Sequence, residues 1–376
     1  MKVAVTLLVF CVAALLALGM VMLYSSSMTQ VGARYLVMQL IWCGLGLVGC
    51  VAMASIDYAL LRRFAWPLMI FVLILLALVL VPHVGLRVNG ARRWLGYGGL
   101  RLQPSELAKL AIIVVLAWYC ERYQRQMRIW KRGIIIPGLI VAPALMLIFI
   151  EPDRGTTILM AGVISVMLLI AGVRWQYFAV PALLGGAGLG LSLWHDPMRM
   201  KRIFAWLYLE ENKSGVGYQA YQAMLALGSG GWFGLGLGNG RQKLGFVPEH
   251  HTDFILSIIG EELGLVATML VVLAFVLIII CGIYIALHAR DNFGLMLGSG
   301  ITFLIGFQAF INIGVVTSAL PNKGLPLPFI SYGGSNLLMM LTCIGVLLSV
   351  ARQARESVAE PATVLAPDNP FAPRTA

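Results

Sequence analysis

Apolar residues recur in stretches of roughly twenty positions, near residues 3–24, 35–55, 65–82, 105–120, 134–150, 156–173, 177–194, 255–287, 293–318 and 333–352. Stretches of that length match the thickness of a hydrocarbon core. The pattern predicts an all-α, polytopic membrane protein of about ten transmembrane helices, packed as one domain over residues 1–355. The first stretch is longer than the apolar core of a signal peptide and is expected to remain as the first helix. Between the seventh and eighth stretches, residues 195–252 make one long polar interruption, expected to be a single large extracytoplasmic loop. Its aromatic and Gly content argues against disorder, and loops of that size in compact proteins usually carry function. Residues 356–376, rich in Pro, Ala and polar side chains without periodicity, are expected to form a flexible cytoplasmic tail.

Composition agrees with the pattern: 60% of the 376 residues are hydrophobic and 11% charged, a balance that belongs in a bilayer. The formal charge of +11 sits in the loops between apolar stretches, where topology and anionic lipid explain it, so nucleic acid is set aside as a partner. An even number of spans puts both termini on one side. Arg122, Arg125, Arg128, Lys131 and Arg132 crowd one short loop and assign that side to the cytoplasm. In this orientation the outer loops carry about as many cations as the inner ones. The short outer cluster of Arg87, Arg92, Arg93, Arg101 and Lys109 therefore points to an anionic ligand. All six cysteines lie in or beside apolar stretches without a CxxC pair, which predicts no disulfide and no cysteine metal site.

Charged residues at the ends of apolar stretches are the informative ones, because burying a charge is costly unless it is paired or used. Four segments qualify. The first is NGARRWL (Asn89–Leu95) with LQPSELAKL (Leu102–Leu110). A helix opened by Pro104 sets Glu106 and Lys109 about one turn apart, within reach of each other. For Glu106 a structural ion pair is the leading reading, with substrate binding beside it. Arg93, Trp94 and Lys109 offer two cations and an aromatic plane, suited to a pyrophosphate and a sugar; for Trp94 the competing role is an interfacial belt residue. The second segment is EPDRGTT (Glu151–Thr157), balanced between turn chemistry and the rim of a site.

The third segment is the long loop, with GYQAYQAMLALGSGGWFGLGLGNGRQKLG (Gly217–Gly245) and VPEHHTDF (Val247–Phe254). Its glycines do not form a nucleotide motif; they offer close backbone approach to a ligand or a neighbouring helix. Lys243 joins the substrate-binding candidates. Asp253 is the carboxylate nearest the start of the eighth stretch, a candidate for chemistry whose bland alternative is a helix N-cap. His250 and His251 are adjacent, which is poor ligand spacing, and no metal site is assigned. The fourth segment, KGLPLPFISYGGSN (Lys323–Asn336), is an irregular backbone suited to a cavity wall, and Ser331 within it is a further substrate-binding candidate.

Taken together, NGARRWL, QPSELAKL, EPDRGTT, GSGGWFGLGLG, PEHHTDFI with GEELG, and PLPFISYGGS resemble the SEDS family (shape, elongation, division and sporulation) from Leu18 to about Ala351. The resemblance implies ten transmembrane helices in the bacterial cytoplasmic membrane. It also implies polymerisation of lipid II into glycan strands, with undecaprenyl pyrophosphate as the leaving carrier and a class B penicillin-binding protein as transpeptidase partner. By position, Asp253 matches the essential acidic residue, and Arg93, Trp94, Glu106 and Lys109 match other sensitive positions. LGMVMLYSSSM and ALPNKGLPLPFISYGGSN resemble the division and sporulation members most, which brings other division proteins in as partners. Arg154, where an apolar or aromatic residue is common, and Asn336, where a small one is usual, depart from the pattern. No cofactor is assigned, and a divalent cation, Mg or Mn, is left open. The competing functional classes are a lipid II flippase and a division scaffold without catalysis. A flippase needs a polar path across the bilayer, whereas the charges here gather at the outer face.

Overall fold

The computed structural model describes residues 1–27, 32, 34–88, 91–97, 100–244 and 251–359. Every apolar stretch contains a helix. Helices α1 (Lys2–Ser27), α2 (Arg34–Ser55), α4 (Ala65–Leu80), α5 (Pro104–Arg122), α6 (Ile136–Ile150), α7 (Arg154–Ile170), α8 (Ala179–Trp194), α11 (Ile255–Leu287), α12 (Asn292–Val316) and α13 (Gly334–Ala359) correspond to the ten stretches in order. Of these, α1, α2, α6 with its lead-in turn from Lys131, α11, α12 and α13 are long and apolar enough to cross a membrane; α4 and α7 are shorter apolar helices. Short helix α3 (Ala59–Arg63) precedes α4, while α9 (Pro197–Leu207) and α10 (Tyr218–Ser229) lie in the long polar segment, which is therefore partly helical. α13 continues to Ala359, past the expected domain end, and residues 360–376 of the expected tail lie outside the described residues.

α5 is the central helix. Residues from Ala108 to Ala117 are buried on every side, as an apolar helix enclosed by neighbours requires. It packs against α4, α6, α7, α12 and α13; α2 lies along α13, and α1 along α11. Tyr58 Oη donates to Asp291 Oδ1 (2.8 Å) and Ser349 Oγ to the Ile56 carbonyl (2.6 Å), which joins the ends of four helices on the face where α1 begins and α13 ends. The six cysteines are separate thiols.

The opposite face carries an element that the helical reading did not contain: an antiparallel sheet of β1 (Leu86–Val88), β2 (Ala91–Tyr97) and β3 (Leu100–Leu102), in that order. Trp94 pairs with Leu86 and Leu95 with Leu102. The sequence signals for it are the Asn-Gly and Gly-Gly dipeptides that separate three short runs, the outer two of which, LRV and LRL, alternate apolar residues with Arg.

The long helix α11 is broken at Gly264, whose φ of 78° and ψ of −174° leave the helical region. The Gly-rich segment after α10 fills the break. Leu235 and Gly236 amides donate to the carbonyls of Glu261 and Glu262 (both 3.0 Å), and the Leu265 and Val266 amides donate back to Gly231 (2.9 Å) and Trp232 (3.2 Å). A Cβ on Gly234 or Gly264 would collide with the facing backbone, so these glycines serve close approach to a neighbouring helix. The two carboxylates of GEELG finish the join. Glu261 accepts the Arg241 amide (2.7 Å), and Glu262 accepts the Gly238 amide (3.0 Å), Ser25 Oγ (2.6 Å) and Lys243 Nζ (2.6 Å). Lys243, a substrate-binding candidate from sequence, thus stands 2% exposed against a fully buried Glu262.

Removing one partner of a buried ion pair costs about 3–5 kcal/mol, because the other charge is stranded. Lys243→Met is therefore expected to lower the melting temperature of the detergent-solubilised protein, and adding Glu262→Gln to recover part of the loss. An unchanged melting temperature in Lys243→Met, with activity gone, would instead return Lys243 to the substrate.

Candidate functional site

Asp253 ends the turn that leads into α11. The position that caps α11 is Phe254, without a side-chain cap bond, and Asp253 stands one residue before it. α12 holds this turn in place. Asn312 Nδ2 donates to the Asp253 carbonyl (2.8 Å) and to the Leu325 carbonyl (2.7 Å), tying the start of α11 to the loop between α12 and α13. The Asp253 carboxylate then lies over Gly324, where an added Cβ would stand 2.8 Å from Oδ2, and Gly324 is exposed. A residue without a side chain at 324 leaves the carboxylate room at an open edge.

The turn between α6 and α7 forms the neighbouring wall. Asp153 is consumed by local structure: it accepts the Thr156 amide (3.1 Å) and hydroxyl (2.9 Å), capping α7, and Gln103 Nε2 (3.2 Å). Arg93 reaches across from β2 and donates to the carbonyls of Glu151 (2.9 Å) and Pro152 (2.7 Å). The Glu151 side chain is fully buried, and neither of its oxygens has a hydrogen-bond partner. Burial and then the charge of Asp153 push its pKa up to about 8, against the pull of Arg93.

Arg154 opens α7 with its guanidinium 5.2 Å above the Phe149 ring, and its Nε and Nη1 are enclosed without a partner. Its charge is felt at Lys323, whose pKa is lowered by burial and then by Arg154. Leu325 Cγ packs 3.2 Å from the Cβ position of Gly155, which seats the Lys323–Leu325 strand on the start of α7. Lys323 and Arg154 are thus neighbouring cations one residue from the glycine under Asp253. Sequence reading placed Arg154 in a segment balanced between turn chemistry and the rim of a site, and Lys323 only at the start of a loop. Their proximity is a tertiary fact without a local signal.

The other candidates lie deeper or to one side. Glu106 and Lys109 form an ion pair at 2.8 Å, 5% and 1% exposed, completed by Gln308 Oε1 on Lys109 (3.0 Å) and Asn336 Nδ2 on Glu106 (2.8 Å). The structural tie expected for Glu106 is present, and the unusual Asn336 supplies one of its donors. Trp94 is half-buried in β2. Ser331 is buried: its Oγ accepts the Leu327 amide (2.8 Å) and its carbonyl accepts Gln39 Nε2 (3.1 Å), which shapes the loop from within. Two residues before it, Phe329 is buried with φ at 67°, a left-handed conformation costly for a bulky residue and of the kind that collects at functional loops. His251 stacks on Tyr35 at 4.7 Å, beside Tyr332. Glu249 and His250 lie outside the described residues. Mg and Mn favour several oxygen ligands, and among the described residues no three acidic, His or Cys side chains converge.

A bundle of long apolar helices with a carboxylate and three cations gathered at one end defines a multi-pass membrane protein with a polar site at one membrane face. The chain belongs to the cell cycle protein family of FtsW, RodA and SpoVE, whose model matches residues 5–356. Among its relatives, the probable peptidoglycan glycosyltransferase FtsW of Trichlorobacter lovleyi is 41% identical over 351 residues, 92% of each chain. The stage V sporulation protein E of Bacillus subtilis is 41% identical, over 93% of this chain and 97% of that one. Among solved structures, a chain described under structural coordination of polymerization and crosslinking by a peptidoglycan synthase complex superposes with a TM-score of 0.79 at 30% identity, covering 92% of this chain and 97% of that one. The rod shape determining protein RodA of Thermus thermophilus gives 0.70 at 31%, covering 92% and 96%.

A carboxyl whose folded pKa is raised favours the folded state while protonated, and that contribution is lost as pH rises through the folded value. For Glu151 the window runs from its ordinary 4.5 to about 8. Glu151→Gln is expected to flatten the fall in melting temperature across this range and to stabilise the protein at pH 8. The parent and variant falling in parallel from pH 5 to 8 would show that Glu151 is ionised throughout.

Proposed function

We propose that the chain is a peptidoglycan glycosyltransferase that polymerises lipid II at the outer face of the bacterial cytoplasmic membrane, in cell division, with both termini in the cytoplasm. The observation that carries the reading is the placement of Asp253 over Gly324, beside Lys323, Arg154 and the turn held by Arg93. The relatives named FtsW support the reaction class, and the solved synthase complex supports a crosslinking partner, here a class B penicillin-binding protein.

In this reading an acceptor sugar hydroxyl attacks the anomeric carbon of a lipid-linked donor. A new carbon–oxygen bond forms, the bond from that carbon to the pyrophosphate oxygen breaks, and undecaprenyl pyrophosphate departs with the electron pair. The hydroxyl proton passes to Asp253, the ordinary solution for a weak nucleophile. Pyrophosphate leaves without a general acid, so the second carboxylate of a glycosidase is not needed. What the leaving group needs is positive charge, and Arg154 and Lys323, neither in an ion pair among the described residues, supply it. Glu106, Lys109, Lys243 and Ser331 act from below, by holding the segments that carry these groups, while Trp94 and Arg93 shape the wall.

Asp253→Asn separates chemistry from structure, since Asn keeps the size and removes the base. Purified Asp253→Asn is expected to retain the parent's melting temperature while polymerising lipid II roughly a hundredfold more slowly or worse. Glycan strands formed within a few-fold of the parent's rate would remove Asp253 from the role of base.

A further inference from the structure

A cleft of about 890 Å³ opens on the face opposite Asp253, between α3, the start of α4 and the end of α5. Its walls include Arg62, Arg63, Trp66, Trp118, Glu121 and Arg122. Arg62 Nη1 pairs with Glu121 Oε1 at 3.0 Å, which neutralises that carboxylate and links two walls. The acid on the rim, Asp57, is likewise engaged, accepting the Ala59 amide and Gln353 Nε2, both at 2.7 Å. Arg63 and Arg122 remain. Both are exposed, and neither guanidinium has an ion pair or hydrogen bond among the described residues. Beside them Trp66, 40% exposed, meets Trp118 edge to face at 5.7 Å, Leu60 lines the cleft, and Ile70 and Ile74, one and two turns beyond Trp66 on α4, carry the exposed apolar surface onward.

Unpaired guanidinium groups, then indole rings, then aliphatic surface is the order of chemistry along a glycerophospholipid: phosphodiester, ester boundary, acyl chains. We infer that this cleft binds the headgroup of an anionic glycerophospholipid, with Arg63 and Arg122 on the phosphodiester and the Trp66–Trp118 pair at the ester boundary. An acidic peptide would engage the same two arginines and leave the tryptophans and Leu60 without partners, so the lipid is the occupant that uses the whole site. The site is independent of the reaction assigned to Asp253, because it lies at the other end of α5.

Native mass spectrometry of the full chain in detergent tests this, with phosphatidylglycerol and phosphatidylcholine of matched chains as probes. Two unpaired arginines should favour retention of the anionic lipid roughly tenfold. Arg63→Gln with Arg122→Gln should reduce it to the phosphatidylcholine level without altering phosphatidylcholine retention. Equal retention of the two lipids by the parent, or undiminished phosphatidylglycerol on the double variant, overturns the proposal. So does displacement of the lipid by equimolar sn-glycerol 3-phosphate, which would make the site one for a free phosphate. A Glu-rich peptide that displaces it at equal concentration would give the cleft to a protein partner instead. Where the double variant does not accumulate, quenching of the parent's tryptophan fluorescence by brominated phosphatidylglycerol against brominated phosphatidylcholine decides, equal quenching counting against the lipid site.

Discussion

A charge carried into an apolar bundle must bring its partners with it, and the Glu106–Lys109 pair brings three helices together. Both residues project from α5, Gln308 of α12 accepts from Lys109, and Asn336 of α13 donates to Glu106. Gln308 also donates to the Pro326 carbonyl at 2.9 Å. One turn further along α12, Asn312 grips the carbonyls of Leu325 and Asp253. The buried pair is therefore the first link of a hydrogen-bonded chain that fixes the irregular loop after α12 and, through it, the entry to α11. Residues four apart on a helix share a face, which is why two amides of α12 hold one strand of loop.

The same accounting separates supporting cations from working ones. Lys109 and Lys243 are enclosed and matched with carboxylates, so their charge is spent on the fold. Arg154 and Lys323 stand close enough for the charge of one to act on the other, and neither has an ion pair among the described residues, an arrangement that an anion would relieve. Glu151 favours its neutral form for a different reason, its own burial and then the charge of Asp153.

The helical architecture was legible because apolar length is a strong signal, and Asp253 because a lone carboxylate at a helix entry is conspicuous. The close approach of Gly234 was foreseen, but not the break at Gly264, since a φ of 78° within an apolar run leaves no mark beyond the glycine itself. The small sheet was missed because Arg92 and Arg93 read as a ligand cluster rather than as strand residues. The Glu106–Lys109 tie was legible from spacing, but not its completion by Gln308, 199 positions from Lys109; Lys243 looked available because its partner Glu262 lies on another helix. The Arg154–Lys323 neighbourhood was hidden for the same reason.

The central claim is that binding and chemistry reside on different residues of one outer-face site. Equilibrium binding of undecaprenyl pyrophosphate to the detergent-solubilised parent, Asp253→Asn and Lys323→Met tests it most directly. A hydrogen bond to a charged group is worth about 1.5–3 kcal/mol, or roughly ten- to a hundredfold in affinity. The account predicts a loss of that size for Lys323→Met and affinity within a few-fold of the parent for Asp253→Asn. Parent-like binding by Lys323→Met, or binding abolished in a folded Asp253→Asn, would contradict it.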